Sequence, residues 1–521
     1  MKKLFTLTIL SVLLAVVAFG KETPVTGNVL NALNDAVLAA DSGDVLILAA
    51  GEIYPNQGSI DVDKDITIMG LGSIEEGNLP YVKEVPAQDG TWAAQSIQVL
   101  NTFKIYNVFF NGFRGEEENE TNDRAIRVNS PVDTFIVDNC VFEQYRKRTI
   151  ALNKEVDYFK CTNTIFNHNW KISGLDEGRP IDLRNGGHKM VWIENCTFVN
   201  SSDRHFRHQQ FGSNTAPVVD TLIINQCTFL NSGNFRPSFT IQSVRDFTFT
   251  NNLVVNSALF GTDTITNRKA ELPYLEGSDA VTIFGPFAVC PFTLTEVDSF
   301  NTVLTMSNNN IVQEAAVNAL FDAGQQVSNP PLFNNEFAEL IGEATVYFEE
   351  EITFNNVPAT PYAMISDFVF KADTVSEGTQ LAPDYNIEYM KYDVLDLGYS
   401  GAAQSATAAT DGGQLGDRRW EVSSTSAVED HLAAAKQLKL IQNFPNPFSE
   451  STTVRFMLKE ATDVTLTIYN LVGAQVRLVR DQFYSQGTHE LTINRGNLEA
   501  GVYFLKLSSR NESDIIKLTV K

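Results

Sequence analysis

The stretch Met190-Val191-Trp192-Ile193-Glu194-Asn195-Cys196-Thr197-Phe198 returns 31 residues later as Thr221-Leu222-Ile223-Ile224-Asn225-Gln226-Cys227-Thr228-Phe229. The same frame occurs at Asn107-Val108-Phe109-Phe110, Asn139-Cys140-Val141-Phe142 and Asn163-Thr164-Ile165-Phe166. It degenerates at Asn252-Leu253-Val254 and Asn309-Asn310-Ile311. Phe110, Phe142, Phe166, Phe198 and Phe229 are 32, 24, 32 and 31 residues apart. A repeat of that length, made of β runs and turn residues, is the signature of a solenoid. Stacked coils set equivalent residues about 4.8 Å apart. The frame therefore predicts a column of Phe inside and a hydrogen-bonded column of Asn at a turn. Cys140, Cys196 and Cys227 share one position and read as small buried apolar groups. Five cysteines show no metal-ligand spacing.

The fold class that follows is all-β: a right-handed parallel β-helix, then a small Ig-like β-sandwich. The amphipathic run Val29–Ala36 and the short β runs after it form an N-terminal cap and first coils over 21–72, because an open stack end exposes core and strand edges. The β-helix spans 73–420. The 57 residues from Val254 to Ile311 are one coil with an insertion near 258–300. Asp411-Gly412-Gly413-Gln414-Leu415-Gly416-Asp417-Arg418-Arg419-Trp420 reads as the closing end of the stack. Residues 421–439 are a linker, and 440–521 carry short alternating strands between turn signals.

Lys2 and Lys3 precede an apolar run from Leu4 to Phe19, with Ala18 and Gly20 at cleavage-site spacing. Residues 1–20 thus read as a secretory signal peptide, and no later run is long and apolar enough to cross a bilayer as a helix, so the mature chain has no transmembrane segment. A formal net charge of −24 over 521 residues argues against nucleic acid as a partner. Charge is uneven, however. Residues 124–245 hold 15 Lys or Arg against 11 Asp or Glu, and four of the six histidines.

The basic residues recur with the coils: Arg124-Ala-Ile-Arg127, Arg148-Thr-Ile-Ala, Arg179-Pro-Ile-Asp182, Arg204-His205-Phe-Arg207-His208 and Arg236-Pro-Ser-Phe. Period-two alternation turns Ile126, Ile150, Ile181 and Phe206 inward and Arg127, Asp182, His205 and Arg207 outward, with Arg184 at the turn. The expectation is a cationic strip that suits a linear acidic polysaccharide, since arginine forks pair bidentately with carboxylate or sulfate. On this reading Arg207, His205 and Arg184 are the catalytic candidates. Arg127, Asp182, Arg204, His208 and Arg236 are the substrate-binding candidates.

Two resemblances add to this. Asn443-Phe444-Pro445-Asn446-Pro447-Phe448, Val464–Gly473, Gly501–Leu507 and Lys517–Lys521 occur in the order of the type A sorting domain of type IX secretion. That resemblance implies the type IX machinery as a partner, and a protein secreted or attached at the outer-membrane surface after passing through the periplasm. The coil pattern resembles the pectate-lyase-like superfamily, which includes chondroitinase-B-like and alginate lyases. Val191-Trp192-Ile193-Glu194-Asn195 is similar to its Val-Trp-Ile-Asp-His motif, with Glu194 and Asn195 in the last two places. The resemblance implies β-elimination at a uronate with Arg or Lys as base and a cation such as Ca2+ on the carboxylate, although no Asp cluster stands out to hold one. A non-catalytic glycan-binding or adhesive surface protein stays open beside the lyase. A hydrolase of the polygalacturonase type fits less well, because it needs convergent carboxylates and the chain has no Asp-Asp pair.

Overall fold

The computed structural model describes residues 20–114, 121–170, 177–184, 186–208, 218–233, 238–257, 259, 262–263, 292–295, 302–323, 327–328, 331–371, 389–423, 438–444, 448–458, 461–469, 475–509 and 512–521. Residues 1–19 of the expected signal peptide, Arg236 and most of the expected 258–300 insertion lie outside them. The chain divides into two units, 1–423 and 424–521.

In the first unit, three parallel sheets of ten, nine and eight described strands wind into a right-handed parallel β-helix. One coil runs Val132–Asp138 in the first sheet, Val141–Glu143 in the second and Arg148–Leu152 in the third. The corner between first and second sheets requires a left-handed backbone, which Asn tolerates better than most residues. Asn107, Asn139, Asn163, Asn195, Gln226, Asn251 and Asn308 take it, with φ between 50° and 60°. Asn139 Nδ2 donates to Asn107 Oδ1 at 2.9 Å, and Asn195 Nδ2 to Asn163 Oδ1 at 2.8 Å. In the two degenerate coils the turn residues are Asn251 and Asn308. The following Asn252 and Asn309 instead occupy the buried column of Cys140, Cys196 and Cys227, where their amides donate to Ile224 O and Phe249 O. All three cysteines are buried free thiols. Inside, the Phe110–Phe142–Phe166–Phe198–Phe229 rings stack with centroids 4.6–5.3 Å apart.

Helix Ala32–Ala39 closes the N-terminal end with Leu33 and Val37 buried. At the other end, helix Asn335–Ile341 seats Phe337 on the core, edge-on to Phe247. Residues 411–420 therefore do not close the stack. They lie along its flank, on the outer face of the second sheet. Leu395, Leu397, Tyr399 and Leu415 pack there against Val141, Ile165, Val199 and Leu253. Thr197 Oγ1 donates to Asp417 Oδ2 at 2.6 Å, and Trp420 Nε1 to Thr197 Oγ1 at 2.7 Å. The cause is apolarity on both faces: beside the inward Phe142, Phe166, Phe198 and Phe229 stand the outward Val141, Ile165, Val199 and Leu230, which need cover.

This cover buries Glu143, which accepts from Tyr392 N at 2.6 Å, Tyr389 Oη at 2.7 Å and Asn167 Nδ2 at 2.8 Å. Burial outweighs those bonds and raises its carboxyl to about 7. Burial likewise raises Asp417 and Glu84 to about 7. A folded-state value above the unfolded one means that folding favours the protonated group. Stability from these carboxyls is thus full below the ordinary carboxylate range and declines as pH climbs to about 7. Glu143→Gln is expected to remove its share. Urea midpoints at pH 5 and pH 8 should lie closer together than in the wild type, and the variant should be the more stable at pH 8 by on the order of 2 kcal/mol.

The second unit is an antiparallel sandwich, three strands facing four. Leu440, Val454 and Phe456 from one sheet and Leu466, Leu505 and Leu518 from the other share its core.

Candidate functional site

Strand register decides which of the recurring basic residues meet. In the third sheet Ile126 pairs with Ile150, Ile150 with Ile181 and Ile181 with Phe206. All four are core residues. One position later Arg127, Ala151, Asp182 and Arg207 form an outward column. Two positions before the isoleucines, Arg148 pairs with Arg179. The same register carries Arg124 and Arg204 to the ends of that row, giving a four-rung arginine ladder at the corner of the coil.

Asp182 is the hub. Arg207 grips it with both arms, Nε to Oδ1 at 2.7 Å and Nη2 to Oδ2 at 3.0 Å. Arg148 Nε reaches Oδ2 at 2.8 Å, Arg179 Nη1 at 3.8 Å and Arg184 Nε at 3.9 Å. Burial alone would raise the Asp182 carboxyl, but the four guanidinium groups outweigh it and hold it below the usual range. Asp203 bridges Arg179 and Arg204. Glu177 lies 3.6 Å from Arg148, and Asp123 takes Arg146 at 2.7 Å and Lys147 at 2.9 Å.

The face is graded along the helix axis. Arg179, Arg204 and Arg207 are only 2–3 % exposed. Arg148 and Arg124 are 13–14 % exposed and Arg184 18 %, and Arg127 is partly exposed. Burial lowers Arg124, Arg127 and Arg184, and Arg148 beside each lowers it further. Arg207 is pushed furthest, by burial first and then by Arg179.

Of the two histidines, His205 stands elsewhere than alternation predicts, and His208, two places after the inward Phe206, points inward as alternation requires. His205 precedes the strand Phe206–His208, at the corner, where the two-residue period has not begun. Its ring lies against Phe198, Phe229 and Phe239, fully buried, and burial drives it to about 3. It stays neutral and out of reach of any polymer. His208 pairs with Leu183 in an inward column and meets His188 edge-on at 6.4 Å. Neither faces the strip, and Arg207 is sealed against Asp182 beneath it. Arg148, Arg179, Asp203 and Glu177 belong to the cluster although sequence reasoning did not assign them site roles. The signal for the arginines is their shared place with Arg124 and Arg204 in the repeat.

A divalent cation does not fit this face. Its central carboxylate is already surrounded by four arginines, and among the described residues no group of three or more His, Cys, Asp or Glu side chains converges on a point. Among those residues, too, no helix is long and apolar enough to cross a membrane.

A comparison with curated proteins finds no match. Two solved structures give weak likenesses. The PL6 family alginate lyase AlyGC is 17% identical, with 57% of this chain and 37% of that one covered and a TM-score of 0.36. This chain therefore spans little more than a third of AlyGC. The tailspike protein gp49 of Acinetobacter baumannii bacteriophage Fri1, a capsular polysaccharide depolymerase, is 12% identical, with 96% and 78% covered and a TM-score of 0.29. Residues 442–521 match the family described as the secretion system C-terminal sorting domain. The protein is thus a parallel β-helix joined to a type IX sorting domain, the mark of a chain that is secreted and attached at the cell surface.

Proposed function

We propose that the β-helix, exported through the periplasm, holds an acidic polysaccharide along the outer face of its third sheet. The observation that supports this is the open half of the arginine cluster. Arg124, Arg127 and Arg148 reach solvent side by side; burial first, and then Arg148, lowers the affinity of Arg124 and Arg127 for their protons. Like charges stacked along the helix axis repel, and a polyanion with carboxylates or sulfates at repeating intervals relieves that repulsion. The buried half, tied by Asp182 and Asp203, is the rigid base on which the open half stands.

A second reading, β-elimination at a uronate, is favoured by Arg184. Of the three catalytic candidates it alone is partly exposed, and burial with Arg148 and Arg179 nearby weakens its hold on its proton. Such an arginine is suited to take the C5 proton as the glycosidic bond to C4 breaks.

The purified protein is expected to bind at least one of alginate, pectate and a sulfated glycosaminoglycan. Arg124→Ala with Arg127→Ala should weaken binding about tenfold or more, with a shallower salt dependence. Affinity electrophoresis and calorimetry read both. Ultraviolet absorbance of unsaturated ends that disappears in Arg184→Ala selects the lyase; binding without such absorbance selects the binding protein. No binding to any of the three overturns the proposal.

A further inference from the structure

The outer face of the first sheet, away from the arginine cluster, carries a cleft of about 600 Å³. Its floor is the polar end of that sheet and its wall is the flank segment at Thr410, Asp411 and Arg418. We propose that this cleft is a second glycan site, and that it takes an uncharged sugar chain.

Three observations carry this. The first is charge. Asp138, Glu194 and Asp411 face the cleft with Lys160 and Arg418, and Arg418 is already joined to Asp411 at 2.6 Å. A surplus of carboxylate repels the polyanion that the arginine face attracts. The second is unused hydrogen-bonding capacity of both signs. Asp138 Oδ1 accepts from Thr162 at 2.6 Å and Asn163 at 2.8 Å, while its Oδ2 accepts nothing among the described residues. Lys160 is poised over the Trp192 ring at 5.0 Å and makes no hydrogen bond or ion pair among the described residues. A carboxylate oxygen and an ammonium that share a cleft suit hydroxyl groups, which donate to one and accept from the other. The third is rigidity. Trp192 Nε1 donates to Glu194 Oε2 at 3.0 Å and Asn225 Nδ2 to Glu194 Oε1 at 2.7 Å, so the floor is set before a ligand arrives.

The test is calorimetry on the full chain with neutral β-1,4-linked gluco-, manno- and xylo-hexaoses, beside an alginate hexamer. At least one neutral hexaose is expected to bind in the micromolar to millimolar range. Lys160→Met and Asp138→Asn, each checked for an unchanged thermal midpoint, should each weaken it about tenfold. Arg127→Ala should leave it unchanged, so failure at this cleft is distinguishable from failure at the arginine face. The proposal is overturned if no neutral hexaose binds at millimolar concentration, if both cleft variants bind like the wild type, or if Arg127→Ala abolishes the neutral binding.

Discussion

Replacing Asp182 with alanine is expected to cost the β-helix about 3–5 kcal/mol, read as a fall in the urea midpoint. The carboxylate is fully buried and lies within 4 Å of Arg207, Arg148, Arg179 and Arg184. Removing it leaves guanidinium groups crowded on one another with less water than they need. Arg207 suffers most, because it is itself 2 % exposed and loses both arms of a bidentate pair. Asp182→Asn keeps the shape and two acceptor lone pairs but drops the charge, so it should fall between the wild type and alanine. Asp220→Ala is the contrast. That carboxylate pairs with Arg245 at 3.0 Å with both side chains 55 % exposed, and its loss should be close to undetectable. Equal effects at the two positions would show that the third-sheet cluster is no more than surface charge. The same substitution bears on binding. Asp182→Ala adds net positive charge under the open arginines, so whatever folds should hold a polyanion more tightly.

Much of the β-helix was legible in the sequence because each column repeats one chemical demand. Phe198 and Phe229 share a residue type, a register and a surrounding, so the repeat names both the strand and the inward face. The Asn-Asn pairs at 251–252 and 308–309 were less legible. Either amide suits a left-handed turn, and only strand pairing shows which takes it and which goes to the buried Cys column. The arginine rungs were visible as a recurrence, but their burial was not, since it arises from packing that no local pattern reports. His205 was misplaced because alternation holds within strands and this residue stands before one. The inward place of His208 was legible, since it stands two residues after the inward Phe206 and so enters the column of Val128, Leu152 and Leu183. The cover over the second sheet joins Asp417 to Thr197 across 220 residues, beyond any local signal. Its trace was the run of adjacent apolar residues in Val141-Phe142 and Ile165-Phe166, which demands burial on both faces at once.

Phe198→Ala is expected to cost about 3–5 kcal/mol, the range for removing a buried aromatic side chain without collapse around the gap. Collapse is restricted here, because the coils are spaced by backbone hydrogen bonds and cannot close on one another. Phe198 stacks on Phe166 at 4.9 Å and on Phe229 at 4.6 Å, so both neighbours lose a face. Phe110, near the start of the ladder, stacks among the described residues on Phe142 alone, at 5.1 Å, with Val82 on its other side, and its replacement should cost less. A solenoid is coupled from neighbour to neighbour. The central gap should therefore also weaken cooperativity, with faster hydrogen exchange across Thr197–Ser201 and Thr228–Ser232 than at the helix-capped ends. His205 supplies a local reporter. Its ring lies 6.2 Å from that of Phe198, and its Nε2 is buried without a hydrogen bond among the described residues. Burial is what holds it at about 3. Water entering the space left by Phe198 would hydrate that nitrogen and raise the value towards the ordinary histidine range. An upward shift of the His205 titration by NMR, together with the stability loss, marks a hydrated gap. A stability loss with His205 unmoved marks a dry one, and a loss below 1 kcal/mol would mean that the ladder is not the spine of the fold.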